Sequence, residues 1–287
     1  LFRSQCHSSG NPGVKLLFVA DGRSPIARNW IRYFIANGHE THLISTFECQ
    51  GLSGLTTLHS VPVAFSGLRK KSTNSARPGP LTSSRTIGLR TFIRHWLGPA
   101  TVSRAARRAR ELILEINPDL IHAMRIPFEG ALACAARPEQ PLVVSIWGND
   151  FTLHAPASPM MNRLTRRTMQ QTSALHTDNH RDAELAINWG FDREKAQLVV
   201  PGNGGVRREI FLPGEPGWSD HPALTRVLDS IALEAPVVVN PRGFRAYVRN
   251  DTFFAAIPEI LEREPATVFL CPDMSGQAAA EQWVERL

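Results

Sequence analysis

The chain has 287 residues, enough for one large or two ordinary domains, and its 43% apolar and 20% charged residues describe a packed core, not disorder. No apolar run approaches the roughly 20 residues that span a bilayer, and the first dozen residues lack the apolar stretch of a secretory signal. The net charge is +6, which favours anionic partners.

Val14 to Ala20 (VKLLFVA) is a continuous apolar run, the mark of a parallel strand buried on both faces. It ends at Asp21-Gly22. Ser24 is placed to cap a helix with Pro25 at its first position, and Ile26, Ala27, Trp30, Ile31 and Phe34 follow at helical spacing until Gly38. His39 to Thr46 is the next strand, which completes a βαβ unit and predicts a parallel sheet. Leu58 to Phe65 gives a third strand.

Residues 66–90, rich in Gly, Ser, Pro and basic side chains, predict a mobile exposed loop. A long amphipathic helix follows, with Val102, Ala105, Ala106, Ala109, Leu112, Ile113 and Ile116 on one face and Pro118 beyond its end. No acidic residue lies between Glu48 and Glu111, whereas Arg69, Lys70, Lys71, Arg77 and seven arginines from Arg85 to Arg110 do. Such a block is either a solvated basic face or one turned to an anionic membrane surface or a phosphorylated substrate; no nucleic-acid partner is expected.

Strands then alternate with helices: strand Asp119–Met124, helix Glu129–Ala136, strand Leu142–Ile146, helix 160–172, strand Ala174–Thr177, helix His180–Trp189 and strand Gln197–Val200. This is the pattern of a doubly wound α/β domain over residues 14–205. A Pro/Gly-rich segment from Leu212 to Pro222 reads as a linker, and the pattern restarts with strand Pro236–Asn240, helix Thr252–Glu262 and strand Ala266–Cys271. Residues 206–287 are therefore the linker and only part of a second such domain. The chain starts at Leu1 and stops within a helix-like stretch, AAAEQWVERL, so it is expected to be a piece of a longer protein.

Parallel sheets bind ligands beyond the carboxyl ends of their strands, so the polar residues there are the candidates. Asp21 and Gly22 combine a close backbone approach with a helix N-terminus. His122 ends a strand and reads either as a site residue or as a core histidine. Trp147, Gly148, Asn149 and Asp150 (WGND) offer a ring and hydrogen-bonding groups to a sugar, or else close an Asx turn. In the second domain Arg242 and Arg249 flank a strand tip and a helix N-terminus, which suits a diphosphate; Asn240 and Gly243 adjoin them.

No GxGxxG, HExxH, CxxC, GxSxG, GxxxxGK[ST] or DxD is present, which disfavours nicotinamide, flavin and metal chemistry. Pro201 to Gly205 is glycine-rich without the phosphate-loop lysine and reads as an interdomain turn. The four cysteines have no metal-ligand spacing and are expected to be free thiols in a reducing compartment. No metal or cofactor is expected.

The segments VKLLFVADGRSPIARNWIRYFIANGHETHLIS, PDLIHAMRIPFEG, PLVVSIWGNDF and VVVNPRGFRAYVRNDTFFAAIPEIL together resemble retaining family 4 glycosyltransferases of the GT-B fold, with two Rossmann-like doubly wound parallel-sheet domains. The resemblance implies transfer of a sugar from a nucleotide-sugar donor to a glycan or lipid-linked acceptor with retention of configuration, in the cytoplasm, at or near the inner face of the membrane. Arg242 is similar to the family's diphosphate-binding arginine, and Arg249 stands where the family has a lysine. Both are implied to neutralise the departing nucleoside diphosphate. Trp147 stands where the family often has a histidine. The family's paired glutamates fall beyond residue 287, so this polypeptide alone is expected to be inactive. A nucleotide-sugar 2-epimerase of the same fold and a non-catalytic sugar- or surface-binding module are the alternatives.

Overall fold

The computed structural model describes residues 13–64, 84–136, 138–200, 231–232, 234–244 and 248–287, with the backbone alone for 84–95. The chain divides into two compact units, Leu1–Val206 and Arg207–Leu287. The expected turn Pro201–Gly205 and the linker Leu212–Pro222 lie outside the described residues, as do Cys6 and Arg245.

The first unit is built on seven parallel strands: β1 (Lys15–Ala20), β2 (Glu40–Ser45), β3 (Thr57–Ser60), β4 (Leu120–Ala123), β5 (Leu142–Ile146), β6 (Ala174–Thr177) and β7 (Ala196–Val199). Their spatial order is β3-β2-β1-β4-β5-β6-β7. The order reverses between β1 and β4, and there the connections leave for opposite faces of the sheet and open a crevice at the carboxyl ends. Helices α1 (Pro25–Ala36), α2 (Ser84–Ile116), α3 (Ala131–Ala135), α4 (Pro159–Gln171) and α5 (His180–Asn188) connect them.

Strand β1 shows why the sheet is apolar without interruption. Leu17 and Val19 join one core cluster with α2 and α3, whereas Leu16, Phe18 and Ala20 join another with Ala27 and Ile31 of α1. Alternate side chains point to opposite faces, and both faces are covered. Ser24 caps α1 by accepting from Ala27 N, and Gly190, at φ +103°, ends α5 where a side chain would be strained.

One expectation is corrected. Residues 84–90, read as loop, begin helix α2, which runs on through Gly88 and Pro99 to Ile116. Glycine and proline disfavour a helix interior, but the buried stripe Val102, Ala106, Ala109, Leu112 and Ile113 anchors a helix long enough to carry both.

The second unit pairs β8 (Val237–Val239) with β9 (Val268–Leu270) in parallel, flanked by α6 (Asn250–Arg263) and α7 (Ala278–Val284). Phe254, Ile257, Met274 and Ala280 form its core. Val237 and Val239 remain 43% and 51% exposed, as expected where two strands do not cover both sheet faces.

Candidate functional site

The turns after β1, β2, β4 and β5 meet at the switch point. After β1, Asp21 accepts from Arg23 through both oxygens, at 3.0 Å from Nε and 2.9 Å from Nη2, and the Arg23 guanidinium stacks 3.5 Å from the Phe47 ring centroid. The Gly22 N–H donates to Ser45 Oγ at 3.0 Å. A Cβ at Gly22 would overlap Cys49 Sγ and stand 2.9 Å from Ser45 Oγ, so any larger residue here must shift those two side chains.

After β4 the chain reaches Arg125, whose backbone at φ 148°, ψ 151° lies in a region nearly confined to glycine. Holding a non-glycine residue there costs of order 1–3 kcal/mol, and such strain clusters at functional sites. The fixing partner is Asp150, beyond β5: Arg125 Nε donates to its Oδ1 at 2.9 Å, and Ile126 N and Trp147 N donate to its Oδ2, each at 3.2 Å. Arg125 Nη2 meets His154 Nε2 at 2.9 Å, and the guanidinium lies 5.6 Å from the Trp147 ring. Burial pushes the Asp150 carboxyl above its usual range, against the pull of Arg125 and the two backbone donors. Burial opposes the charge on Arg125, but the adjoining carboxylate outweighs it and holds the guanidinium above its ordinary value. The Arg125 side chain is still 30% exposed.

Glu129 lies between these groups. It is buried and accepts from Thr46 Oγ1 at 2.7 Å and from Phe128 N at 2.9 Å. The site can therefore offer a fixed, charge-balanced guanidinium, which suits a polyhydroxylated or anionic ligand, while Gly22 is buried against Cys49 and Ser45.

His122 and Asp150 sit elsewhere than a ligand contact would need. His122 is 5% exposed in the sheet face under α1, with both ring nitrogens engaged. Trp30 Nε1 donates to His122 Nδ1 at 3.3 Å, which leaves the proton on Nε2 to donate to Ser145 Oγ at 2.8 Å. Ser145 then donates to His176 Nδ1 at 2.7 Å, and His176 Nε2 donates to Val200 O at 3.1 Å. One proton order satisfies the whole chain with both rings neutral. Burial first, and His176 second, lowers His122 to about 3. Thus His122 is a satisfied core residue, and Asp150 turns inward to hold Arg125. Trp147 is half-buried, whereas Gly148 and Asn149 are exposed on the rim; Gly148 O accepts from Arg181 Nη2 at 3.4 Å.

In the second unit Asn240, at the tip of β8, donates to Asn250 Oδ1 at 3.4 Å, and Arg242 N donates to Asn240 Oδ1 at 3.3 Å. Gly243, at φ +65°, completes the turn. The strand tip and the α6 N-terminus are thereby brought together. Arg242 and Arg249 are both exposed. Arg249 grips Asp251 of its own turn, with Nε 2.9 Å from Oδ1 and Nη2 2.9 Å from Oδ2. Among the described residues no group of three or more His, Cys, Asp or Glu side chains could hold a metal ion, and Cys49, Cys134 and Cys271 are free thiols.

Residues 22–202 match the model of the family described as Glycosyl transferase 4-like domain. The chain belongs to this family. No curated protein sequence matches it. Among solved structures it is similar to the UDP-forming α,α-trehalose-phosphate synthase of Burkholderia xenovorans, with a TM-score of 0.63 at 10% identity over 96% of this chain and 68% of that one. It is similar also to the α,α-trehalose-phosphate synthase of Burkholderia vietnamiensis, with a TM-score of 0.59 at 12% identity over 95% and 68%. A putative UDP-N-acetylglucosamine 2-epimerase from Listeria monocytogenes gives 0.56 at 12% identity over 96% and 66%. The glycosyl transferase 4-like chain thus spans about two-thirds of the length of these structures, and the likeness shows their α/β, GT-B-type fold.

Sequence reasoning missed Arg125, Glu129, Thr46 and His154. A signal existed for Arg125 alone: it follows strand β4 directly, at one of the two strands that flank the reversal of order.

Proposed function

We propose that the glycosyl transferase 4-like chain belongs to a retaining, nucleotide-sugar-dependent glycosyltransferase, with its first unit on the acceptor side. The observation that carries this reading is the switch-point cluster, in which Arg125 is locked by Asp150 with its side chain 30% exposed, within the matched domain. The loop after β8 and the start of α6 supply Arg242 and Arg249 for the donor diphosphate. There the two cations neutralise the charge that develops as the nucleoside diphosphate leaves, and losing one is expected to raise the barrier by about 2–4 kcal/mol. The acceptor is a glycan or a lipid-linked glycan, and the basic stretch of α2 turns toward an anionic membrane surface. No helix among the described residues is long and apolar enough to cross a membrane.

A second reading, 2-epimerisation of the sugar nucleotide, is favoured by the fold likeness to the Listeria protein. The test is incubation of the full-length protein, not of residues 1–287 alone, with radiolabelled UDP-glucose or UDP-N-acetylglucosamine, with and without a membrane lipid extract. Label passing into an acceptor with the anomeric configuration kept supports transfer. An epimerised sugar nucleotide formed without acceptor supports the second reading, and turnover of neither donor overturns both.

A further inference from the structure

Helices α2, α3 and α4 pack against one another on one face of the large sheet. Where they meet, Arg107 and Arg110 of α2 and Arg167 of α4 line a recess of about 380 Å³ floored by Ser103, Ala106 and Ala135. All three arginines are exposed. Among the described residues none of the three guanidinium groups has a carboxylate partner, although their neighbours are engaged. Arg108 pairs with Glu111 at 3.0 Å, and Arg166 donates to Asn162 Oδ1 at 3.1 Å and lies 4.9 Å from the Trp189 ring.

Three like charges around one recess repel, so an anion that bridges them is favoured twice: by its own attraction and by relief of that repulsion. The small floor residues leave room for a tetrahedral group to reach all three forks. The carboxyl end of α3 lies at the floor, so the donors are guanidinium groups and not a helix N-terminus. Arg110 and Arg167 lie near the ends of helices that lead into the amino ends of β4 and β6. The recess is therefore on the opposite side of the sheet from Gly22 and Arg125.

We propose that Arg107, Arg110 and Arg167 form a phosphate-binding site, distinct from the switch-point cluster, which takes a phosphomonoester or phosphodiester group. Guanidinium forks match phosphate oxygens in pairs, and three of them on two rigid helices fix its position. The group can come from a phospholipid headgroup or from a soluble phosphate, and the two sources separate experimentally.

Two binding assays on the protein test the site: calorimetry with inorganic phosphate, and sedimentation with phosphatidylglycerol or phosphatidylcholine vesicles at low and raised salt. The variant R107Q/R110Q/R167Q keeps shorter polar side chains and removes the charge. It is expected to lose at least tenfold in affinity in whichever assay the unmodified protein is positive, whereas R263Q, a charge change in the second unit, is expected to bind as the unmodified protein does. The single variants R107Q and R167Q, each expected to lose about threefold, serve if the triple variant fails to fold. Binding to phosphatidylglycerol alone assigns the headgroup, and binding to inorganic phosphate assigns the soluble source. Unmodified protein that binds neither, or glutamine variants that bind as well as it does, overturns the proposal. Because the readout is binding, a failure of the glycosyltransferase reading leaves this result intact.

Discussion

Arg125 and Asp150 join the turns that follow β4 and β5, on one side of the point where the strand order reverses. The guanidinium Nε lies 2.9 Å from Oδ1, while Oδ2 accepts from the backbone of both turns at Ile126 and Trp147. A single carboxylate thus fixes an arginine in a backbone conformation that arginine rarely adopts, while its side chain stays 30% exposed.

Removing that carboxylate should therefore be expensive. Asp150 is fully buried. Asp150→Ala leaves a half-buried cation and two backbone N–H groups without an acceptor, and breaking one side of such a pair costs about 3–5 kcal/mol. Asp150→Asn keeps an oxygen for one set of donors and is expected to cost less. Urea unfolding of the two variants measures the difference. An Asp150→Ala midpoint equal to the unmodified protein's would show that the pair does not hold the site.

Two of the buried histidines, His122 and His176, make the fold sensitive to acid. His122 is lowered to about 3 by burial and by His176, and His176 is itself lowered, again chiefly by burial. In the unfolded chain both return to about 6.5. Between those values the unfolded state binds the extra proton, so stability rises with pH. The contribution is complete above about 6.5 and falls as the solution is acidified toward 3. For His122 alone the slope approaches about 1.4 kcal/mol per pH unit in the middle of that window. Unfolding free energies at pH 7.5, 6 and 5 should decline in that order, and the decline should be shallower in His122→Gln. A flat profile would contradict neutral rings in the folded state.

Gly22 offers a stricter test of the crevice. Gly22→Ala places a methyl group against Cys49 Sγ and Ser45 Oγ, an overpacking that costs typically 1–3 kcal/mol. Adding Cys49→Ala removes one of the two obstacles and should recover much of the stability. If the glycine also serves ligand approach, the double variant stays impaired in sugar-nucleotide turnover while its thermal midpoint recovers. Recovery of both together would assign Gly22 to packing alone.

What could be read from the residues follows from where the physics is local. VKLLFVA and LVVSI announce strands buried on both faces, and the α1 cap at Ser24 and the turn at Gly190 are set by one or two residues each. The strand-end rule placed Asp21, Gly22 and the WGND run at the right end of the sheet. It could not say which way each side chain turns. Asp150 points in because Arg125, 25 residues earlier, supplies its counter-charge, and His122 is absorbed by Ser145 and Trp30 from two other elements. Arg125 itself sits in AMRIPFEG, a stretch with no periodicity, and its conformation is fixed only by tertiary contacts. The Arg249–Asp251 pairing, by contrast, is two residues apart and was available in RND.

That last pairing makes the donor site testable from both directions. Arg249 is engaged with Asp251 through Nε and Nη2, so a diphosphate that takes that edge of the guanidinium must displace a carboxylate from the same turn. Arg242→Ala and Arg249→Ala should each weaken UDP binding, by about tenfold if each loses a charge-assisted hydrogen bond worth roughly 1.5 kcal/mol or more. Asp251→Asn removes the competitor and the like charge, and should strengthen UDP binding severalfold. Combining Asp251→Asn with Arg249→Ala should abolish that gain, because Asp251 acts on the ligand mainly through Arg249. Calorimetry with UDP on the four variants gives the cycle. If Asp251→Asn weakens binding, or if the double alanine variant of Arg242 and Arg249 binds UDP unchanged, the diphosphate is held by other groups.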